Sequence, residues 1–93
     1  MWFIIRRRET NQERNIKGKV ISRRFEYYVE VWRLFKRRRY LRLLPGWREK
    51  LEKEQPCNVE LASKMYNATT FAEKAEAETV VYFIKSSPDY FKL

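Results

Sequence analysis

The stretch Phe25 to Trp47, FEYYVEVWRLFKRRRYLRLLPGW, constrains this chain more than any other. It carries seven of the fifteen aromatic residues, two of the three tryptophans and the densest run of positive charge. Read at period two, Phe25, Tyr27, Val29, Val31 and Phe35 form one apolar face, interrupted by Arg33. Glu26, Tyr28, Glu30, Trp32 and Leu34 form a mixed face. Alternation among β-branched and aromatic residues is the pattern of a strand. A helix competes, since Phe25, Tyr28, Val29, Trp32 and Phe35 would share a side. That side runs on into Lys36 and Arg39, however, and leaves Val31, Leu34 and Leu41 opposite it, so the strand is preferred. A reversal around Lys36-Arg37-Arg38 then leads to a second strand, Tyr40 to Leu44, although no Gly or Asn marks a tight hairpin there. Pro45-Gly46 ends the element.

The flanking segments supply the rest of a small fold. Trp2 to Arg8 reads as a first strand, apolar on both faces at its start. The run Met1 to Ile5 is too short for a signal-peptide core or a membrane span before Arg6-Arg7-Arg8 stops it. A membrane-surface anchor competes with the strand there, and the strand is preferred. Glu9 to Lys19 is polar, contains Gly18, and reads as a connecting loop that exposes Arg14, Lys17 and Lys19. Val20-Ile21 resumes extended structure. Trp47 to Gln55 is rich in helix formers, with a favourable Glu49→Lys53 spacing, and predicts a short helix closed by Pro56. Asn58 to Asn67 is compatible with a further strand.

Thr70-Phe71-Ala72-Glu73 matches a capping box, which predicts a helix over 71–86 packed through Ala75, Thr79, Tyr82 and Phe83. The segment Thr79 to Ile84 alone would pass as a strand, and the cap decides for helix. Ser87-Pro88-Asp89 predicts a turn, after which Tyr90-Phe91 folds back onto the body. The expected architecture is α+β: one domain over 1–93, an antiparallel sheet of three to five strands with a C-terminal helix packed on one face.

Ninety-three residues can bury a single core, removing roughly 60–68% of the surface that the unfolded chain exposes. The formal charge of +9 is unevenly placed. Residues 1–55 hold 17 Lys or Arg against 7 Glu, whereas residues 56–93 hold 4 Lys against 5 acids. This asymmetry implies a basic face carried by the first part of the chain, and an anionic partner: nucleic acid, an acidic protein surface or anionic lipid. Charge that serves only solubility is the plainer alternative.

Catalytic chemistry finds little to work with. The chain has no histidine and only Cys57, which removes Ser-His and Cys-His nucleophiles, an internal disulfide and any Cys/His zinc site. Two isolated glycines, Gly18 and Gly46, cannot build a phosphate-cradling loop. Glu26 and Glu30 share a strand face and could form a carboxylate pair, but their Arg and Lys neighbours favour salt bridges. Cys57 reads as a small buried hydrophobe rather than a reactive thiol. No enzymatic activity and no cofactor are expected, and a reducing compartment, the cytoplasm or the interior of a virion, is the expected location.

Binding chemistry is better supplied. Arg6, Arg8, Arg23, Arg24, Arg33, Lys36, Arg37, Arg38, Arg39 and Arg42 interleave with Tyr28, Trp32 and Tyr40. Guanidinium groups pair with phosphates and stack on flat rings, and aromatic rings accept unpaired bases. RNA or another single strand is therefore the favoured partner of this set. For most of these aromatics the core is the preferred place, because a small sheet needs them there. Two other classes remain open: an assembly subunit of a virion or ribosome-like particle, anchored by Trp2, Trp32 and Trp47, and a small inhibitor that masks a partner's surface.

Overall fold

Two long strands carry the architecture. β1 (Trp2–Arg14) and β2 (Val20–Trp32) pair antiparallel from Trp2↔Trp32 at one end to Arg14↔Val20 at the other. The computed structural model describes residues 1–86 and 91–92. β3 (Arg39–Leu43) joins β2 through the pairs Glu30↔Tyr40 and Val31↔Arg39, and β4 (Cys57–Ala62) lies antiparallel beside β3. β5 (Phe91–Lys92) pairs parallel with β4, so the sheet order follows the chain. β2 and β3 diverge beyond their short contact, and the segment 69–71 fills the gap. Phe71 exchanges two backbone hydrogen bonds with Tyr27, and Thr69 N–H donates to the Leu41 carbonyl at 3.0 Å. The Thr69 hydroxyl accepts from Leu43 N–H at 2.7 Å.

Both helices sit on one face of this sheet. α1 (Trp47–Glu52) lies against β4, and α2 (Lys74–Ser86) lies against β1 and β2. Between sheet and helices the core gathers Val29, Val31, Leu41, Leu43, Cys57, Val59 and Phe71 with Ala77, Val80, Val81 and Ile84 of α2. Trp47 closes it by setting its ring edge-on to Phe71, with centroids 5.7 Å apart. The α+β expectation holds, with four antiparallel strands and a parallel fifth.

Several boundaries differ from the sequence expectation, each for a physical reason. The segment read as a loop, Glu9 to Lys19, is strand as far as Arg14. Glu9, Thr10, Glu13 and Arg14 are exposed, and backbone pairing is enough to hold the segment without an apolar face. A bulge at Thr10, whose hydroxyl donates to the Arg24 carbonyl, marks where the ribbon leaves the body. The turn is made by Asn15, whose side-chain oxygen accepts from the N–H groups of Lys17 and Lys19 at 3.0 and 2.9 Å. Gly18 supplies the left-handed residue there, at φ 81°. Asn58 to Asn67 is strand only to Ala62 and then passes into a 3-10 turn, Met65–Asn67.

The capping box does not form. α2 begins at Lys74, four residues past Thr70, because Phe71 is held in the sheet by its bonds to Tyr27. The stretch 79–84 is helical, but the buried face is Ala77, Val80, Val81 and Ile84, not the stripe through Ala75, Thr79 and Tyr82. Burial follows the widest run of β-branched residues, and Tyr82 is left 67% exposed. Phe35, assigned by alternation to the apolar strand face, lies in the β2–β3 turn and is 99% exposed. The expected turn at Ser87-Pro88-Asp89 and the return of Tyr90 fall outside the described residues, and Phe91 belongs to β5.

Two measurements check this packing. Ile84→Ala should cost about 2–5 kcal/mol in urea unfolding, whereas Tyr82→Ala should stay within about 0.5 kcal/mol. Burial raises the Cys57 thiol above its ordinary value of 9.0, with Lys50 pulling the other way. The unfolded chain therefore ionises first as pH rises, so this contribution to stability is intact below the ordinary value and is lost through the native one. The wild type should lose stability above pH 9 more steeply than Cys57→Ala, measured as urea midpoint against pH.

Candidate nucleic-acid interface

Alternation along β2 turns Val29 and Val31 into the core and Glu26, Tyr28, Glu30 and Trp32 to the opposite, helix-free face. Pairing then fixes what stands beside them. Trp2, Ile4, Arg6 and Arg8 of β1 lie directly opposite Trp32, Glu30, Tyr28 and Glu26. On the other side, Tyr40 lies opposite Glu30, and Arg42 follows two residues on, opposite Glu60 of β4. One sheet face thus interleaves rings and guanidinium groups.

Glu30 organises its centre. The residue is 3% exposed, and one carboxylate oxygen accepts from Arg6 Nε at 2.9 Å and from Trp32 Nε1 at 3.3 Å. The other oxygen lies 3.5 Å from an Arg38 nitrogen. Its hydrogen bond to Glu30, reinforced by that carboxylate's charge, raises the Arg6 pKa above its ordinary value, so Arg6 is cationic at every physiological pH. Arg38 is carried in from the β2–β3 turn and stands 5.6 Å from the Trp32 ring centre and 6.0 Å from that of Tyr40. Tyr28 and Tyr40 are tilted neighbours with centroids 6.0 Å apart. Arg8 pairs with Glu26 one step along the ribbon. The carboxylates are thus salt-bridged, and Glu30 holds Arg38 beside the Trp32 and Tyr40 rings.

The thirteen residues singled out in the sequence divide accordingly. Arg6, Arg8, Arg24, Tyr28, Trp32, Tyr40 and Arg42 share the helix-free face, and Arg38 reaches it from the turn. Lys36 and Arg37 are exposed in the turn beside it. Arg33 is half-buried, and its Nε is buried with no hydrogen-bond partner among the described residues. Arg39 pairs with Val31 and so belongs to the core side, at the sheet's end. Arg23 lies on the alternate face of the outer ribbon, opposite Gln12.

Distance along the chain to the nearest acids, Glu30 and Glu49, would leave Lys36 to Arg39 without internal partners, but Arg38 pairs with Glu30, eight residues back, because the turn folds the two together. Two residues the sequence list omitted also belong to the face: Trp2, 57% exposed beside Trp32, and Glu30 itself. Alternation along β2 already put Glu30 there, and the β1–β2 register adds Trp2.

Elsewhere, a groove of about 230 Å³ runs between α1 and α2, lined by Trp47, Leu51, Thr79 and Val80 and flanked by the Arg48–Glu76 pair at 2.6 Å. Among the described residues no three His, Cys, Asp or Glu side chains converge to hold a metal ion, and no helix is long and apolar enough to cross a membrane. Comparison with protein-family models, characterised proteins and solved structures finds no match to this chain.

Glu30→Ala removes the acceptor shared by Arg6, Arg38 and Trp32. It should cost about 1.5–3 kcal/mol in urea unfolding, the range for hydrogen bonds to charged groups. Glu30→Gln, which keeps one acceptor oxygen, should cost less.

Proposed function

We propose that this chain is a non-enzymatic binding domain whose helix-free sheet face receives a single-stranded nucleic acid, with RNA the favoured form. The observation that carries this reading is the arrangement of Trp2, Trp32, Tyr28 and Tyr40 among Arg6, Arg8, Arg38 and Arg42 on one face. Bases of an unpaired strand offer flat rings that stack on aromatic side chains, and the guanidinium groups meet the phosphates between them. A duplex hides those base faces, so a stacking platform favours single strands. The ion pairs with Glu30 and Glu26 leave this face less positive than its arginine count implies. The turn cations Lys36 and Arg37 supply the unpaired charge at its edge.

A second reading, an assembly subunit of a larger particle, draws on the apolar residues Trp2, Leu34 and Phe35, all more than half exposed at one end of the sheet. Salt separates the two. Binding to a single strand should weaken with ionic strength, and replacing Lys36 and Arg37 by Gln should shrink the log–log salt slope by about 0.7 per lost phosphate contact. Docking through apolar anchors would show little salt dependence.

The deciding experiment is fluorescence anisotropy with short single-stranded RNA and DNA and the matching duplex. Trp32→Ala and Tyr40→Ala should each weaken single-strand binding by about 1–3 kcal/mol, the usual worth of one stacked base. A wild-type protein that binds no single strand, and that purifies with a stoichiometric protein whether or not the lysate is nuclease-treated, would replace this reading with the second.

A further inference from the structure

The β2–β3 turn is built against its own backbone preference. Lys36 N–H donates to the Arg33 carbonyl at 3.2 Å, which closes a four-residue turn with Leu34 and Phe35 at its centre. Phe35 holds φ at 58°, in the left-handed region where Gly or Asn is the usual occupant. A bulky aromatic there is disfavoured, and a buried side chain could offset that by packing. Phe35 has no such contact, since it is 99% exposed, with Leu34 beside it 67% exposed.

The other non-glycine residue with positive φ, Glu54 at 55°, has an ordinary explanation. It follows the C-terminus of α1, where its N–H donates to the Leu51 carbonyl, in the way helices commonly end. Phe35 ends no helix. It stands at the tip of a turn, next to Lys36 and Arg37 and three residues beyond Trp32 on the aromatic face. Backbone strain that the fold itself does not use points to function at that position.

We propose that the turn is a binding finger in which Phe35 stacks on an unpaired base at the edge of the sheet face, while Lys36 and Arg37 meet the adjoining phosphates. This rests on the reading of that face as a platform for single strands. The finger extends the row of rings from Trp32 past the end of β2, and its cations match the charge of the strand it would hold. Among the described residues none covers the Phe35 ring, which is 99% exposed at the tip of the turn. The occupant is an unpaired base rather than a duplex, because stacked base pairs leave no ring face open.

The test uses the full chain with Phe35→Gly, Phe35→Tyr and Trp32→Ala. The readouts are binding to a single-stranded RNA and to its duplex, binding to vesicles of equimolar phosphatidylcholine and phosphatidylserine, and the urea midpoint. Phe35→Gly should lose about 5- to 150-fold in single-strand affinity, the equivalent of one stacked base. Its duplex binding should not change, and its urea midpoint should be at least as high as that of the wild type. Phe35→Tyr, which keeps the ring, should bind as the wild type does. Affinity lost while stability is kept or gained is a result that a structural role for Phe35 cannot produce.

Wild-type single-strand affinity in Phe35→Gly, alongside a loss in Trp32→Ala, overturns the finger and leaves the platform standing. Loss of vesicle binding with single-strand binding intact overturns it in favour of a lipid-docking turn. A wild-type protein that binds no single strand overturns both the finger and the platform beneath it.

Discussion

The ladder joining β1 to β2 decides which side chains share a face, because strand side chains alternate and a slip of one residue would turn every one of them over. Pairing Phe3 with Val31 and Ile5 with Val29 puts an apolar set under α2. The same pairing puts Trp2 beside Trp32 and Arg6 beside Tyr28 on the other side. Core and candidate interface are two consequences of one register. The register is held from both ends, by burial of Val29 and Val31 at the body and by the Asn15–Gly18 turn at the far tip.

Phe71 links this ladder to the rest of the core. Fully buried, it bonds through its backbone to Tyr27 and through its ring to Trp47, tying β2 to the helix after β3. That tie also explains the late start of α2. Residues that would have formed a first helical turn after Thr70 are held extended, and the helix begins only once the chain clears the sheet. Two satisfied backbone bonds in the interior outweigh a side-chain cap worth about 1 kcal/mol at the surface.

Glu30 plays the corresponding part on the outer face. A lone buried carboxylate would be costly, and here it is compensated by two guanidinium groups and an indole N–H. The arrangement holds Arg38 against Trp32 and Tyr40. Net charge alone therefore overstates what this face presents to a partner. The arginines on it are positioned as much by internal carboxylates as by any demand from outside.

The sequence alone makes Phe25 to Trp32 a strand, starts a short helix after Pro45-Gly46 and gives the mixed helix-and-sheet class, since in each case local pattern and burial agree. It puts the reversal around Lys36 to Arg38, and the turn closes earlier, between Arg33 and Lys36. It also placed Tyr28, Glu30 and Trp32 on one face, since alternation needs no partner strand. Tertiary structure alone decided the rest. The arm of β1 from Glu9 to Arg14 pairs without any hydrophobic signal of its own, because backbone bonding does not depend on side-chain pattern. The buried face of α2 was chosen by the sheet beneath it, and Thr70 lost its cap to a bond made 44 residues upstream by Tyr27 and Phe71. Arg38 found its acid across a turn, and Phe35 left its strand for the tip of that turn. Contacts between residues distant in the chain decided the arm, the buried face of α2 and the lost cap, whereas Arg38 and Phe35 were settled by the geometry of the β2–β3 turn.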